Sequence, residues 1–194
     1  GNDDWRSTLW SALEESGLTL AWVPADNGGS GASLADGFSI LELAGKFAVP
    51  IPLAETLLAG WLLSKSKLKC PSGMMTVAPT RPRDKIHLTD NNTLVGEVFG
   101  IPFANVAENI VVLAHKNDMP HIALVSAKDC IIKSNPGLSG DGRDTITFSN
   151  TIPIQIHAAP ENFSAQELCL MGATVRSMQM SGALQRILKL ATDY

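Results

Sequence analysis

Histidines, cysteines, a glycine-rich turn and an Arg-Asp pair are the residue types here that invite chemistry. His87, His115, His121 and His157 fall at no metal-ligating spacing, so surface or strand-edge roles are expected of them. Cys70, Cys130 and Cys169 are odd in number and form no C-x-x-C, which reads as reduced thiols in a cytoplasmic protein. Gly28-Gly29-Ser30-Gly31 is glycine-rich enough for a phosphate loop. It lacks the following Lys-Ser/Thr and joins no strand to a helix, so a structural turn is expected. Arg143 beside Asp144 suits phosphate recognition or an ion pair holding a turn, and the turn is favoured. Ser30, Ser139 and the other serines have no G-x-S-x-G context, which leaves hydrolase chemistry unsupported. Glu14 and Glu15 are adjacent, point to different parts of a helix, and read as solvated.

The 194 residues suffice for one or two domains with a sizeable core. A hydrophobic content of 45% and a charged content of 18% describe a globular chain. A formal net charge of −4 argues against general nucleic-acid binding, which needs a concentrated basic face. Lys65-Ser66-Lys67-Leu68-Lys69 is the one dense basic stretch and reads as a solvated helix end. No apolar run reaches the ~20 residues needed to span a bilayer. Gly1-Asn2-Asp3-Asp4 is no signal peptide, and the missing initiator methionine suggests a trimmed or tagged chain.

The elements that must position these residues follow from the apolar spacing. Trp5, Leu9, Trp10 and Leu13 predict a helix stopped at Gly17. Residues 20–23 are apolar, Pro24 ends them, and residues 27–31 form a turn. Ser33 and Asp36 read as a capping box before a second helix with Leu34, Phe38, Leu41 and Gly45 on one stripe. Pro50 and Pro52 break the chain before a third helix over residues 53–63. From about Gly73 short Val-, Ile- and Thr-rich runs take over. Residues 85–89 and 93–98 flank Asp90-Asn91-Asn92 as a hairpin, and residues 110–114 and 121–125 flank a turn ending in Pro120. Residues 130–133 and 145–148 add strands of a small barrel or sandwich. Residues 168–190 carry Met, Ala, Gly and Leu on several faces, the pattern of a helix inside a bundle.

In order, these segments resemble the flavin-dependent acyl-CoA dehydrogenases. Gly17-Leu18, Val23-Pro24 and Gly28-Gly29-Ser30-Gly31 are similar to that family's "G-L-x-x-x-x-V-P-E-x-x-G-G-x-G". Val49-Pro50-Ile51-Pro52-Leu53-Ala54-Glu55-Thr56 is similar to its "x-P-x-P-x-x-E-T". Lys128-Asp129, Gly137-Leu138 and Gly142-Arg143-Asp144 before residues 145–148 look like the end of its middle domain, and residues 176–194 like its first long C-terminal helix. The resemblance implies an α+β multidomain fold. It has an N-terminal helical domain over residues 1–69, a middle β-domain over 70–159, and the start of a helical bundle over 160–194. It also implies FAD, an acyl-CoA substrate, electron-transfer flavoprotein or a similar acceptor, and a homo- or hetero-oligomer. The family's "R-x-Q-F-G" segment and its catalytic carboxylate match nothing in these residues.

Two segments carry the family's flavin contacts. The first, "A-x-T-E-P-G-x-G-S-D", corresponds to Val77-Ala78-Pro79-Thr80-Arg81-Pro82-Arg83-Asp84. Thr80 and Pro82 keep the pattern, Arg81 replaces the Glu, and the glycine-serine part is missing. The second, "G-x-K-x-W-I-T-N", corresponds to Gly96-Glu97-Val98-Phe99-Gly100-Ile101-Pro102-Phe103, with Gly100 for the tryptophan and Pro102 for the hydroxyl residue. Proline offers neither hydroxyl nor N–H. By resemblance, Val77, Pro79, Thr80, Gly100, Ile101 and Pro102 are the expected cofactor-binding residues, with Phe99 or Phe103 a substitute aromatic wall. Loss of the flavin site would leave a non-catalytic partner subunit or ligand-binding module of the same fold.

Overall fold

A computed structural model describes residues 4–137 and 141–193 of the protein. Leu138, Ser139 and Tyr194 lie outside those residues, as does the side chain of Trp5.

Among the described residues, four α-helices flank an eight-stranded sheet. Helix α1 (Asp4–Glu15) ends where Gly17 turns left-handed at φ +69 and Leu18 donates back to the Leu13 carbonyl. Helix α2 (Leu34–Lys46) begins with the expected capping box. Asp36 N–H donates to the Ser33 hydroxyl oxygen, and Ser33 N–H donates to the Asp36 carboxylate at 3.1 Å. The Ser33 hydroxyl, which donates to the Asp36 carboxylate at 2.7 Å, and then the Ser33 N–H hold Asp36 below the ordinary carboxylate range. Helix α3 (Leu53–Lys65) is buried on nearly every face. At its end Lys65, Lys67 and Lys69 are exposed while Ser66 and Leu68 turn inward. Helix α4 (Ala165–Thr192) buries Leu168, Val175 and Gly182, one residue every two turns, against the rest of the chain.

Gly28-Gly29-Ser30-Gly31 is a turn that consumes its own donors. The amides of Gly28, Gly29, Ser30 and Gly31 donate to the carbonyls of Ala25, Pro24, Leu20 and Val23. No N–H remains to cradle a phosphate. Ser30 Oγ also donates to the Gly17 carbonyl at 2.7 Å, tying both glycine turns together.

The strands are β1 (Met75–Ala78), β2 (His87–Leu88), β3 (Leu94–Ile101), β4 (Asn109–Lys116), β5 (Met119–Ser126), β6 (Ile131–Lys133), β7 (Asp144–Thr151) and β8 (Gln155–Ala158). Their order is β6-β7-β3-β2-β4-β5-β8, with β1 parallel to β4. The two-residue β2 joins the halves, antiparallel to β3 and parallel to β4. Both faces of β4 and β5 are covered. Ile110, Val112, Ala123 and Val125 point into an interior shared with Leu94, Val98, Ile146 and Phe148. Val111, Leu113, Ile122 and Leu124 point the other way, into the helices. That is why these strands read as unbroken apolar runs.

Three expectations change. The β4–β5 turn is Asn117-Asp118, both at positive φ, and Pro120 lies inside β5 opposite His115. Glu14 is not merely solvated, because its Oε1 accepts the Gly73 N–H at 2.8 Å and anchors the loop into β1. Arg143 pairs with Asp141 at 3.3 Å, not with its neighbour. Asp144 is fully buried and accepts the amides of Asn105 and Asn135 at 2.9 and 3.1 Å.

Helices α2 and α4 approach closely at two glycines. A Cβ on Gly45 would collide with the Gln179 carbonyl, and one on Gly182 with the Glu42 carbonyl. Beside this crossing Ser181 Oγ and Gln185 Nε2 donate to Glu42 Oε1 at 2.8 and 2.7 Å. Met180, Leu184, Ile187 and Leu188 lie on the outer side of α4 and are each more than half exposed.

Candidate functional site

A cavity of about 290 Å³ lies between α3, β1 and α4. Ala54, Leu58, Val77, Leu168, Gly172 and Val175 supply apolar wall, and Glu55, Thr76, Thr80, Arg143, Cys169 and Arg176 supply polar groups. Two segments separated in sequence meet here. Pro79 and Thr80 follow β1 through a cis Ala78–Pro79 peptide, and Pro102 follows β3. Thr76 Oγ1 ties the segments by donating to the Pro102 carbonyl at 2.7 Å.

Of the six residues expected at a flavin, Val77, Pro79, Thr80 and Pro102 line this cavity, and Gly100 and Ile101 do not. The Ile101 side chain is fully buried in the interior of the sheet. Gly100 is left-handed at φ +71 and faces open space where a Cβ would stand. Thr80 Oγ1 has only long contacts, 3.4 Å to the carbonyls of Phe99 and Gly100. Its hydroxyl is therefore available to a better acceptor. Neither phenylalanine walls the cavity. Phe99 is 40% exposed beneath the Arg81 guanidinium, 4.9 Å from its ring centre, and Phe103 lines a second cavity. That cavity, about 590 Å³ and more open, includes Pro50, Ile51, Met74, Asn135 and Gly142 but none of the six.

Charged contacts went unseen in the sequence. Arg81 grips Asp84 through two 2.9 Å bonds, and Asp84 accepts the Phe99 N–H at 3.2 Å. Glu55, 5% exposed, is ion-paired with Arg176 of α4 across 121 residues of sequence. Arg176 Nη1 also donates to Gln179 Oε1 at 2.7 Å. Among the described residues Glu55 is the one carboxylate lining the cavity, and it is occupied by Arg176. The histidines lie toward one end of the sheet, where burial and then nearby Lys85 push His115 below its ordinary value. Among the described residues, no cluster of three His, Cys, Asp or Glu is arranged to hold a metal. Among the same residues no helix is long and apolar enough to cross a membrane.

Solved structures share this architecture. The ChsE4–ChsE5 complex from Mycobacterium tuberculosis aligns at TM-score 0.78 and 17% identity, over 97% of this chain and 57% of that one. Butyryl-CoA dehydrogenase from Megasphaera elsdenii aligns at TM-score 0.72 and 18% identity, over 96% and 60%. The fold is that of the acyl-CoA dehydrogenases. XiaF from Streptomyces sp., in complex with FADH2 and glycerol, shares it at TM-score 0.67 and 14% identity, over 94% and 55%. The chain thus spans somewhat more than half the length of each of these acyl-CoA dehydrogenase-fold chains. No protein-family model and no curated protein matches the sequence.

Proposed function

We propose that this chain forms the N-terminal and middle parts of an FAD-dependent acyl-CoA dehydrogenase-like oxidoreductase, with the α3–β1–α4 cavity as its acyl pocket. The observation carrying this reading is the convergence of Val77, Pro79, Thr80 and Pro102 on one cavity walled by two helices. The residues partly fit a flavin. Thr80 has an uncommitted hydroxyl, and Gly100 leaves open space beside the rim. Val77, Pro79 and Thr80 would hold the flavin from one segment, and Gly100, Pro102 and the Ile101 backbone from the other. Bound there, it would supply the hydride acceptor for α,β-desaturation of an acyl-CoA thioester.

The chain's own residues bind and exclude water. Ala54, Leu58, Val77, Leu168 and Val175 give an acyl chain a dry wall. No proton acceptor is assigned among the described residues, because Glu55 is held by Arg176. In this reading the base comes from a C-terminal part of the protein beyond Tyr194. The same reading divides the chain into residues 1–69, 70–159 and 160–194. It places the protein in the cytoplasm with reduced thiols and makes electron-transfer flavoprotein or a similar acceptor its redox partner. It also covers the exposed side of α4 in a homo- or hetero-oligomer, as an apolar strip of that kind calls for. The ChsE4–ChsE5 neighbour is itself a complex.

A second reading, a non-catalytic partner subunit or ligand-binding module of the same fold, is favoured by one observation. The Arg81 guanidinium covers Phe99 beside the expected flavin rim. Flavin titration of the wild type and Thr80→Ala separates the readings. Flavin binding that weakens by about 1 kcal/mol in the variant supports the first. A protein that takes up no flavin supports the second.

A further inference from the structure

The proposed acyl pocket is apolar along its walls yet carries two guanidinium groups. Arg176 is 39% exposed and lines the cavity. Of its five N–H donors, one serves Glu55 and one serves Gln179. The other three meet no acceptor among the described residues. Arg143 lines the same cavity, is 52% exposed, and has Asp141 as its ion-pair partner at 3.3 Å. Glu55, the cavity's own carboxylate, is already spent on Arg176.

We propose that this pocket selects an acyl group whose far end carries a carboxylate, with Arg176 as the specificity-determining residue. The inference rests on reading the cavity as the acyl pocket. A volume of about 290 Å³ lies at the foot of the range for small-molecule pockets, which suits a short chain. A carboxylate matches the planar fork of a guanidinium with two parallel hydrogen bonds. A methyl end in the same place would desolvate Arg176 donors and give them nothing in return. Arg176 is partly exposed, so the preference is moderate rather than absolute, roughly tenfold.

The test is calorimetric titration of the protein with adipoyl-CoA and hexanoyl-CoA. Adipoyl-CoA is expected to bind roughly tenfold tighter. Arg176→Gln alone strands the buried Glu55 carboxylate and risks misfolding. The double variant Glu55→Gln/Arg176→Gln keeps the site polar but neutral, and the two thioesters should bind it equally. Glu55→Gln alone frees Arg176 from its carboxylate and should widen the preference for adipoyl-CoA. Hexanoyl-CoA binding the wild type as tightly as adipoyl-CoA overturns the proposal, as does a preference that persists in the double variant. If neither thioester binds but free adipate does, and loses affinity in the double variant, the acyl-CoA reading fails while the carboxylate selectivity stands. Binding of neither the thioesters nor adipate overturns both.

Discussion

Arg81 lies with its guanidinium 4.9 Å above the centre of the Phe99 ring. The same side chain holds Asp84 by two bonds, and Asp84 holds the Phe99 amide. This three-residue lock fastens the segment after β1 to β3 with protein contacts alone. It stands where the resemblance calls for a glutamate and a run of small residues. The Asp84 side chain is only 7% exposed, so Arg81→Ala leaves it with a single donor. That variant should lose about 1–3 kcal/mol of stability, discounted toward the lower figure because Arg81 is 36% exposed. Urea unfolding would show it as a lower midpoint at unchanged slope. An unmoved midpoint would mean that the lock contributes nothing.

The α2–α4 crossing makes a sharper steric prediction. A Cβ at Gly182 meets the backbone of Glu42 and Lys46, which cannot step aside without parting the helices. Gly182→Ala should cost about 1–3 kcal/mol. Gly172 lies on the same helix with Leu58 Cδ2 3.9 Å from its added Cβ, an ordinary contact. Gly172→Ala should therefore be neutral or stabilising by up to about 1 kcal/mol through helix propensity. Thermal unfolding of the pair checks both signs, and equal effects would contradict the close crossing.

Much of this architecture was readable locally. The Ser33–Asp36 capping box, the stop at Gly17 and the Asp90–Asn92 turn are written in a few neighbouring residues, and the structure carries each of them. Relationships that span the fold left no local trace. Glu55 and Arg176 are separated by 121 residues, and nothing beside either one in the sequence points to the other. The parallel pairing of β1 with β4 requires a partner more than thirty residues away. Where the Ile101 side chain goes is equally non-local. The β3–β7 register shifts between Val98 and Ile101, so strict alternation fails there. Ile101 turns into the interior, Gly100 stays at the surface, and Pro102 reaches the cavity.

The thiols should react in order of access. Burial pushes Cys70 up to about 12 and Cys130 up to about 11, which leaves little thiolate on either, while Cys169 is exposed on α4. Timed alkylation near neutral pH followed by peptide mapping should label Cys169 first and Cys70 last. Early labelling of Cys70 would contradict its packing beneath α3. The raised values also make folding sensitive to alkali. Above the ordinary thiol value of 9.0 the unfolded chain releases these protons first, so stability should fall as pH rises from there toward 11 and 12.

His115 gives the opposite pH signature. Desolvation first and the charge of Lys85 second push its imidazole below 6.5, and its Nδ1 is buried with no hydrogen-bond partner among the described residues. As pH falls through 6.5 the unfolded chain takes up this proton before the folded one. Its stabilising contribution is whole above that pH and declines below it. An NMR titration should place the His115 midpoint under 6.5, and a midpoint at or above that value would contradict the burial.

The account turns on whether flavin and acyl-CoA meet at the α3–β1–α4 cavity. The direct measurement is the flavin absorption of the natural protein, recorded before and after anaerobic addition of acyl-CoA. The account predicts a bound flavin that bleaches on addition, with weaker flavin retention in Thr80→Ala and no turnover by the 194-residue chain alone. A natural protein that neither carries nor takes up flavin would contradict it, as would robust turnover by the 194 residues alone.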